Sequence, residues 1–341
     1  MKKALINALK LGLPLAIGFW LIHKQYSDLS PEQRTELFNA FRQADMGWLM
    51  LAIAVGWVAH VSRAWRWRYL LEPLGYRPGF WNCYHGVMTG YFVNMFIPRA
   101  GEASRAALLY RAEQVPFEKG FGTVMAERVV DMAVLLAIAG AAVAMQIDKL
   151  DLFQAQIARF RAEQGGAATD EGGGHLGMIL VAALALVAAA GAYIVITRPA
   201  LRARAMDAVR GFLQGLQTVL HTRKKLLFLG HTLLIWASYV GMFYVGFYCL
   251  PTMSEVSFDA ILAGFIAGAI GIILVQGGIG VYPAFVALIV GVYMPPPEGG
   301  GLLRPDALAM GWLLWAAQTV MLIVLGGASL LLSALKKPAQ P

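Results

Sequence analysis

Apolar stretches recur along this chain between short polar segments, and two of them are broken midway by groups that do not belong in oil. The apolar runs cover residues 11–22, 46–61, 80–97, 117–147, 176–196, 226–250, 258–275, 281–294 and 307–335. Several reach the roughly 18 residues that a helix needs to cross a bilayer. The pattern predicts an all-α, polytopic integral membrane protein. The first break is residues 94–105, Asn-Met-Phe-Ile-Pro-Arg-Ala-Gly-Glu-Ala-Ser-Arg, and the second is residues 276–283, Gln-Gly-Gly-Ile-Gly-Val-Tyr-Pro. They fall at matching places in the two halves. Non-helical backbone survives at membrane depth only where protein or a wet cavity satisfies its polar groups, so paired breaks point to the substrate site of a carrier.

Composition narrows the classes. With 58% hydrophobic and 14% charged residues among 341, the runs use up the chain and leave no room between them for a separate soluble catalytic domain. The run at 11–22 follows Lys2, Lys3 and Lys10 and lacks a small-x-small cleavage site after it, so it is expected to be a retained anchor. Cys83 and Cys249 lie in apolar sequence and read as buried small hydrophobes. No nucleic-acid partner and no cofactor are expected.

Loop charges set a topology, because short cytoplasmic loops carry the excess of Lys and Arg. Residues 62–79 hold four basic and one acidic side chain, and residues 198–225 hold seven and one. Residues 24–45 hold three and four, 148–174 three and five, and 295–306 one and two. The first pair is expected in the cytoplasm with both termini, the others outside. Parity then requires residues 80–111 to enter from the cytoplasm, turn near Pro98 and return, and residues 258–294 to do the same from outside. The expected architecture is about six full spans plus two helical hairpins, re-entrant or fully spanning, arranged as an inverted repeat. The halves are residues 1–147 and 175–335, joined by an external linker at 148–174.

The chemistry concentrates at the first break. Pro98 removes a backbone donor and disfavours helix at Ile97, and Gly101 permits a sharp turn. A helix restarting there presents free N–H groups which, with Arg99 and Arg105, suit an anion such as phosphate. Glu102 and Arg105, at i and i+3, are expected to pair. Glu127, Arg128 and Asp131 head an apolar run and read as either a structural ion network or a relay and gating element. Arg63, Arg66 and Arg68, interleaved with Trp65 and Trp67, read as an interfacial belt gathering anionic lipid. At the second break Gly277, Gly278 and Gly280 allow close backbone approach, for packing or for a site, and Tyr282 adds a hydroxyl.

Together Asn94, Pro98, Arg99, Gly101, Glu102 and Arg105, then Glu127, Arg128 and Asp131, then Gly277-Gly278-Ile279-Gly280, resemble the transmembrane region of lysylphosphatidylglycerol synthases and their stand-alone flippase-like relatives. The resemblance covers about residues 1–335. It implies movement of an anionic phospholipid or lipid-phosphate-linked substrate across a bacterial inner membrane. The substrate-binding set would be Asn94, Arg99, Glu102, Arg105 and Tyr282. Two departures matter. The full synthases carry an aminoacyl-transferase domain after the membrane part, and with none after residue 335 this chain is not expected to aminoacylate lipid. The family's second turn commonly has Pro before Gly-Gly and Glu after it, where this chain has Val275-Gln276 and Tyr282-Pro283, so headgroup or coupling is expected to differ. No Gly-x-x-x-x-Gly-Lys-Ser/Thr stretch supplies a nucleotide site. The rival reading is a membrane enzyme using Glu127 and Asp131 as acid and base, and a third is a scaffold.

Overall fold

The computed structural model describes residues 2–149, 151–152, 154–155, 158, 224–297, 300 and 303–335. Most of the expected linker at 148–174 and all of the apolar run at 176–196 lie outside the described residues. Those described form ten α-helices: α1 (Lys2–Ser27), α2 (Pro31–Gln43), α3 (Met46–Leu71), α4 (Phe80–Phe96), α5 (Ala100–Glu113), α6 (Phe117–Ala144), α7 (Lys225–Phe247), α8 (Phe258–Leu274), α9 (Val281–Val292) and α10 (Pro305–Leu335).

Local signals start these helices where the chain needs them. Ser30 and Gln33 form a reciprocal capping box with Pro31 at the first position of α2, and Asp45 caps α3 by accepting from the Gly47 N–H at 2.7 Å. Three helices, Met46–Leu74 with its short 3-10 extension, Lys225–Phe247 and Pro305–Leu335, are long and apolar enough to cross a membrane. Their outward faces expose Trp57, Leu233, Val324 and Leu331, whereas Arg63, Arg66, Arg105, Glu127 and Asp131 are buried. Greasy outside and charged inside is the arrangement that a lipid solvent favours.

Helices α3 and α7 pack antiparallel along their whole length: Glu72 meets Lys224, Ser62 meets His231, and Asp45 N–H donates to the Cys249 carbonyl at 2.8 Å. The α4–α5 hairpin opens and closes at the Glu72 end, where Gly79 N–H donates to Glu113 at 2.8 Å. The α8–α9 hairpin opens and closes at the other end, where Lys149 meets Asp259 and Tyr293 meets Gln146. The order long helix, hairpin, long helix therefore occurs twice, in opposite directions. At 1.5 Å per residue the 14-residue α5 and the 12-residue α9 are roughly 21 and 18 Å long, short of a hydrocarbon core of about 30 Å. The hairpins are thus built to turn back inside, with tips facing one another.

The two tips share a backbone design. Ile97 is extended (φ −125°, ψ 107°) and two residues on Arg99 is left-handed (φ 63°); Val275 is extended (φ −123°, ψ 133°) and two residues on Gly277 is left-handed (φ 67°). Proline enforces the extended residue only indirectly, by crowding its predecessor at Ile97. Gly277, Gly278 and Gly280 take positive φ without side-chain penalty. In the first hairpin α4 and α5 cross so closely at Gly90 and Gly101 that a Cβ on Gly90 would lie 2.9 Å from the Gly101 carbonyl oxygen.

Candidate functional site

Between the two tips lies a cavity of about 1130 Å³. Asn94, Pro98, Arg99 and Glu102 of the first hairpin, Arg128 of α6 and Tyr91 supply its polar side. Ile272, Ile273 and Leu274, with Gly277 and the α10 residues Trp315, Gln318 and Thr319, supply the wall opposite. Trp315 ties the second tip to α10 by donating from Nε1 to the Gly277 carbonyl at 2.7 Å.

The bonds that tie the first tip together begin with Asn94. Its Oδ1 accepts from the Gly101 N–H at 2.7 Å, capping α5 from across the turn, and its Nδ2 donates to the Glu102 carboxylate at 3.2 Å. Glu102 also accepts from Arg128 Nη2 at 2.7 Å. Arg99 is exposed on the cavity wall. It holds a left-handed backbone that its counterpart occupies with glycine, a conformation costing an ordinary residue about 1–2 kcal/mol. Non-glycine residues kept in such a conformation cluster at functional sites.

Behind this face sits a buried charge cluster. Asp131 receives Arg63 Nη1 at 2.5 Å and Arg66 Nη1 at 2.7 Å, and Glu127 receives Arg105 Nη1 at 2.8 Å with Arg66 Nε 3.5 Å away. Thr232 of α7 accepts from Arg66 at 3.0 Å, and the Arg105 guanidinium lies 3.9 Å from the centroid of the Trp67 ring. Three guanidiniums face two carboxylates, so one unit of positive charge has no counter-ion within the cluster. The Nε and Nη2 groups of Arg105 make no hydrogen bond although both are buried.

Several expectations change on this geometry. Arg63 and Arg66 do not lie on a lipid-facing belt: they are 3% and 0% exposed, because Asp131 sits on the α6 face against α3 and desolvated guanidiniums need that partner. Arg68 alone keeps an edge position, donating to the Pro78 carbonyl at 3.0 Å with its guanidinium over Trp65. Glu102 and Arg105 do not pair: Glu102 turns to Arg128 and Arg105 to Glu127, since α6 packs across α5 and offers each a closer partner than its own helix does. Arg105 stands behind the cavity rather than in its wall. Tyr282 is also buried, its ring over Gly268 within the second hairpin, with a 3.4 Å contact from Gln318 to its hydroxyl. Gly280 faces α1, where Gln25 Nε2 donates to its carbonyl at 2.8 Å.

The sequence reading missed Tyr91, Trp315 and Gln318. A signal existed for Gln318, a lone amide in the apolar α10, and for Arg63 and Arg66, whose i, i+3 spacing puts them on one face that excludes Arg68. Among the described residues no three His, Cys, Asp or Glu side chains gather as a metal site.

The sequence matches the family described as the lysylphosphatidylglycerol synthase TM region over residues 7–327. The chain belongs to that family. Membership makes it a multi-pass helical membrane protein of this kind. It is 35% identical over 92 residues to the UPF0104 membrane protein MJ1595 of Methanocaldococcus jannaschii, covering 26% of this chain and 27% of the relative. It is 28% identical over 107 residues to the protein named glycosyltransferase AglD of Haloferax volcanii, covering 31% of this chain and 17% of the relative. The matched segments thus span about a quarter or less of the length of these curated relatives. No solved structure matches.

Proposed function

We propose that the protein is a lipid translocase that moves an anionic phospholipid or lipid-phosphate-linked substrate between leaflets of a bacterial inner membrane. The observation that carries this reading is the cavity between two oppositely inserted hairpin tips, cationic on one wall and apolar on the other. Arg99 and Arg128 suit a phosphate, because guanidinium forks match its oxygens. Ile272, Ile273 and Leu274 suit acyl chains. Arg105 acts from behind, through Glu127, and the buried cluster holds α3, α5, α6 and α7 in register. The excess of Lys and Arg in the loops supports an orientation with the Glu72–Lys224 end and both termini in the cytoplasm.

The deciding experiment reconstitutes the protein in liposomes carrying labelled phosphatidylglycerol and follows leaflet exposure together with lipid mass. Exposure of label without a new lipid species is the expected result. A new species would instead support an enzyme acting on the headgroup, a reading that rests on the similarity to the protein named as a glycosyltransferase. Neither outcome would leave a membrane scaffold.

A further inference from the structure

Five of the charged side chains are locked together behind the cavity wall, while Arg99, Arg128 and Glu102 line it. Arg99 has the solvent side to itself, whereas Arg128 is held by the Glu102 carboxylate at 2.7 Å. That pair is partly open, its side chains being 42% exposed for Arg128 and 15% for Glu102. Glu102 also accepts long bonds from Asn94, at 3.2 and 3.4 Å, and one from a backbone N–H at its own helix start. A small recess behind the pair is lined by Arg63, Arg105 and Arg128 along with Tyr91, Asn94 and Glu102, and Arg105 keeps two buried donors without a hydrogen-bond partner.

We propose that Glu102 is a built-in stand-in for the substrate's phosphate: it occupies Arg128 in the empty site, and a lipid phosphate binds by displacing it. Three observations support the exchange. The carboxylate is the sole anion on a cavity wall with two cations, among the described residues. Its pairing with Arg128 is partly open to the cavity, so exchanging it costs less than breaking the buried pairs behind. The displaced carboxylate keeps Asn94 as a donor and stays beside Arg63 and Arg105, which line the recess with it. The consequence is selectivity. A monoanionic lipid phosphate replaces one carboxylate with another anion, whereas a zwitterionic headgroup brings its own ammonium into a wall that remains net positive.

This inference rests on the proposed phosphate site but not on translocation, so it is tested by binding alone. Native mass spectrometry of the full chain in detergent, titrated with phosphatidylglycerol, phosphatidylcholine or glycerol phosphate, reads occupancy directly, and a thermal melt of each variant reports its fold. Glu102→Gln is expected to bind phosphatidylglycerol about tenfold more tightly, the gain from freeing one charge-assisted hydrogen bond, with little change for phosphatidylcholine. Arg128→Ala is expected to bind it about tenfold more weakly. Displacement gives opposite signs for the two variants; if Glu102 merely props the tip, both variants weaken binding and the proposal fails. A gain for glycerol phosphate as large as that for the lipid identifies the ligand as phosphate itself and leaves the exchange intact. Equal gains for phosphatidylcholine and phosphatidylglycerol overturn it. Should Glu102→Gln not fold, Glu102→Ala carries the same expectation, and an unchanged affinity for Arg128→Ala overturns the proposal independently. If binding behaves as expected while liposomes show no movement of lipid, the translocase reading fails and the exchange stands.

Discussion

Arg99 combines a backbone conformation that disfavours it with a position on the cavity wall, and this separates what it does for function from what it does for stability. Arg99→Gly, which copies Gly277, is expected to leave stability unchanged or raise it by up to about 1 kcal/mol, while phospholipid movement in liposomes falls tenfold or more. A melt in detergent alongside the liposome assay checks both. Asp131 is the opposite case. Asp131→Asn leaves Arg63 and Arg66 buried without their shared carboxylate, and removing one partner of a buried pair costs about 3–5 kcal/mol, to be read as a loss of folded protein in denaturant titration. At this scale the sequence was informative about which residues are charged and uninformative about who meets whom. The spacing of Glu102 and Arg105 permitted a bond that α6 pre-empts, because i, i+3 geometry knows only its own helix. Cross-helix pairing is decided by the packing of α6 across α5, which no spacing within α5 encodes.

The hairpins were the most legible elements. Pro98 at one tip and three glycines at the other are punctuation that a membrane helix does not carry idly, and both turns fall where the sequence put them. What stayed hidden was the shared geometry, an extended residue followed two positions later by a left-handed one, since Arg at such a position is not a turn signal. Helix α2, counted in the sequence only as part of an external polar segment, packs Leu37 and Ala40 into the core that includes Ala307 and Leu308 of α10, and Gln33 donates to the Gly300 carbonyl before α10 at 2.8 Å. At the second tip Gly280→Ala would place a Cβ 2.6 Å from the Gly18 carbonyl oxygen at a φ of 72°. It is expected to destabilise by about 2 kcal/mol or more, with hydrogen exchange rising first in α9. Gly122→Ala, with open space around it, serves as the neutral control.

Across the whole molecule the opposed hairpins and the antiparallel α3–α7 pair give each half one wall of a common chamber. Loop charge counts anticipated that opposition because they report sidedness, a global property that survives ignorance of every contact. Sidedness itself is testable. Cys83 and Cys249 are both 0% exposed, so the natural thiols are expected to stay silent toward a membrane-impermeant maleimide. On that background Glu32→Cys is expected to label in intact cells and Arg77→Cys only after permeabilisation. Reversal of the two would invert the assigned orientation.

The clasp between α1 and the second turn has a consequence of its own. Gln25 grips the Gly280 carbonyl and Gly18 lies beneath it, so the first helix of the chain is fastened to the last hairpin as well as to α2, where Arg34 donates to the Tyr26 and Ser27 carbonyls. Any motion of that hairpin must carry α1 with it, as a handle moves with its latch. A binder that immobilises the outer face of α1 would then act as a brake on the chamber from a distance, halting traffic while leaving the cavity empty and chemically untouched.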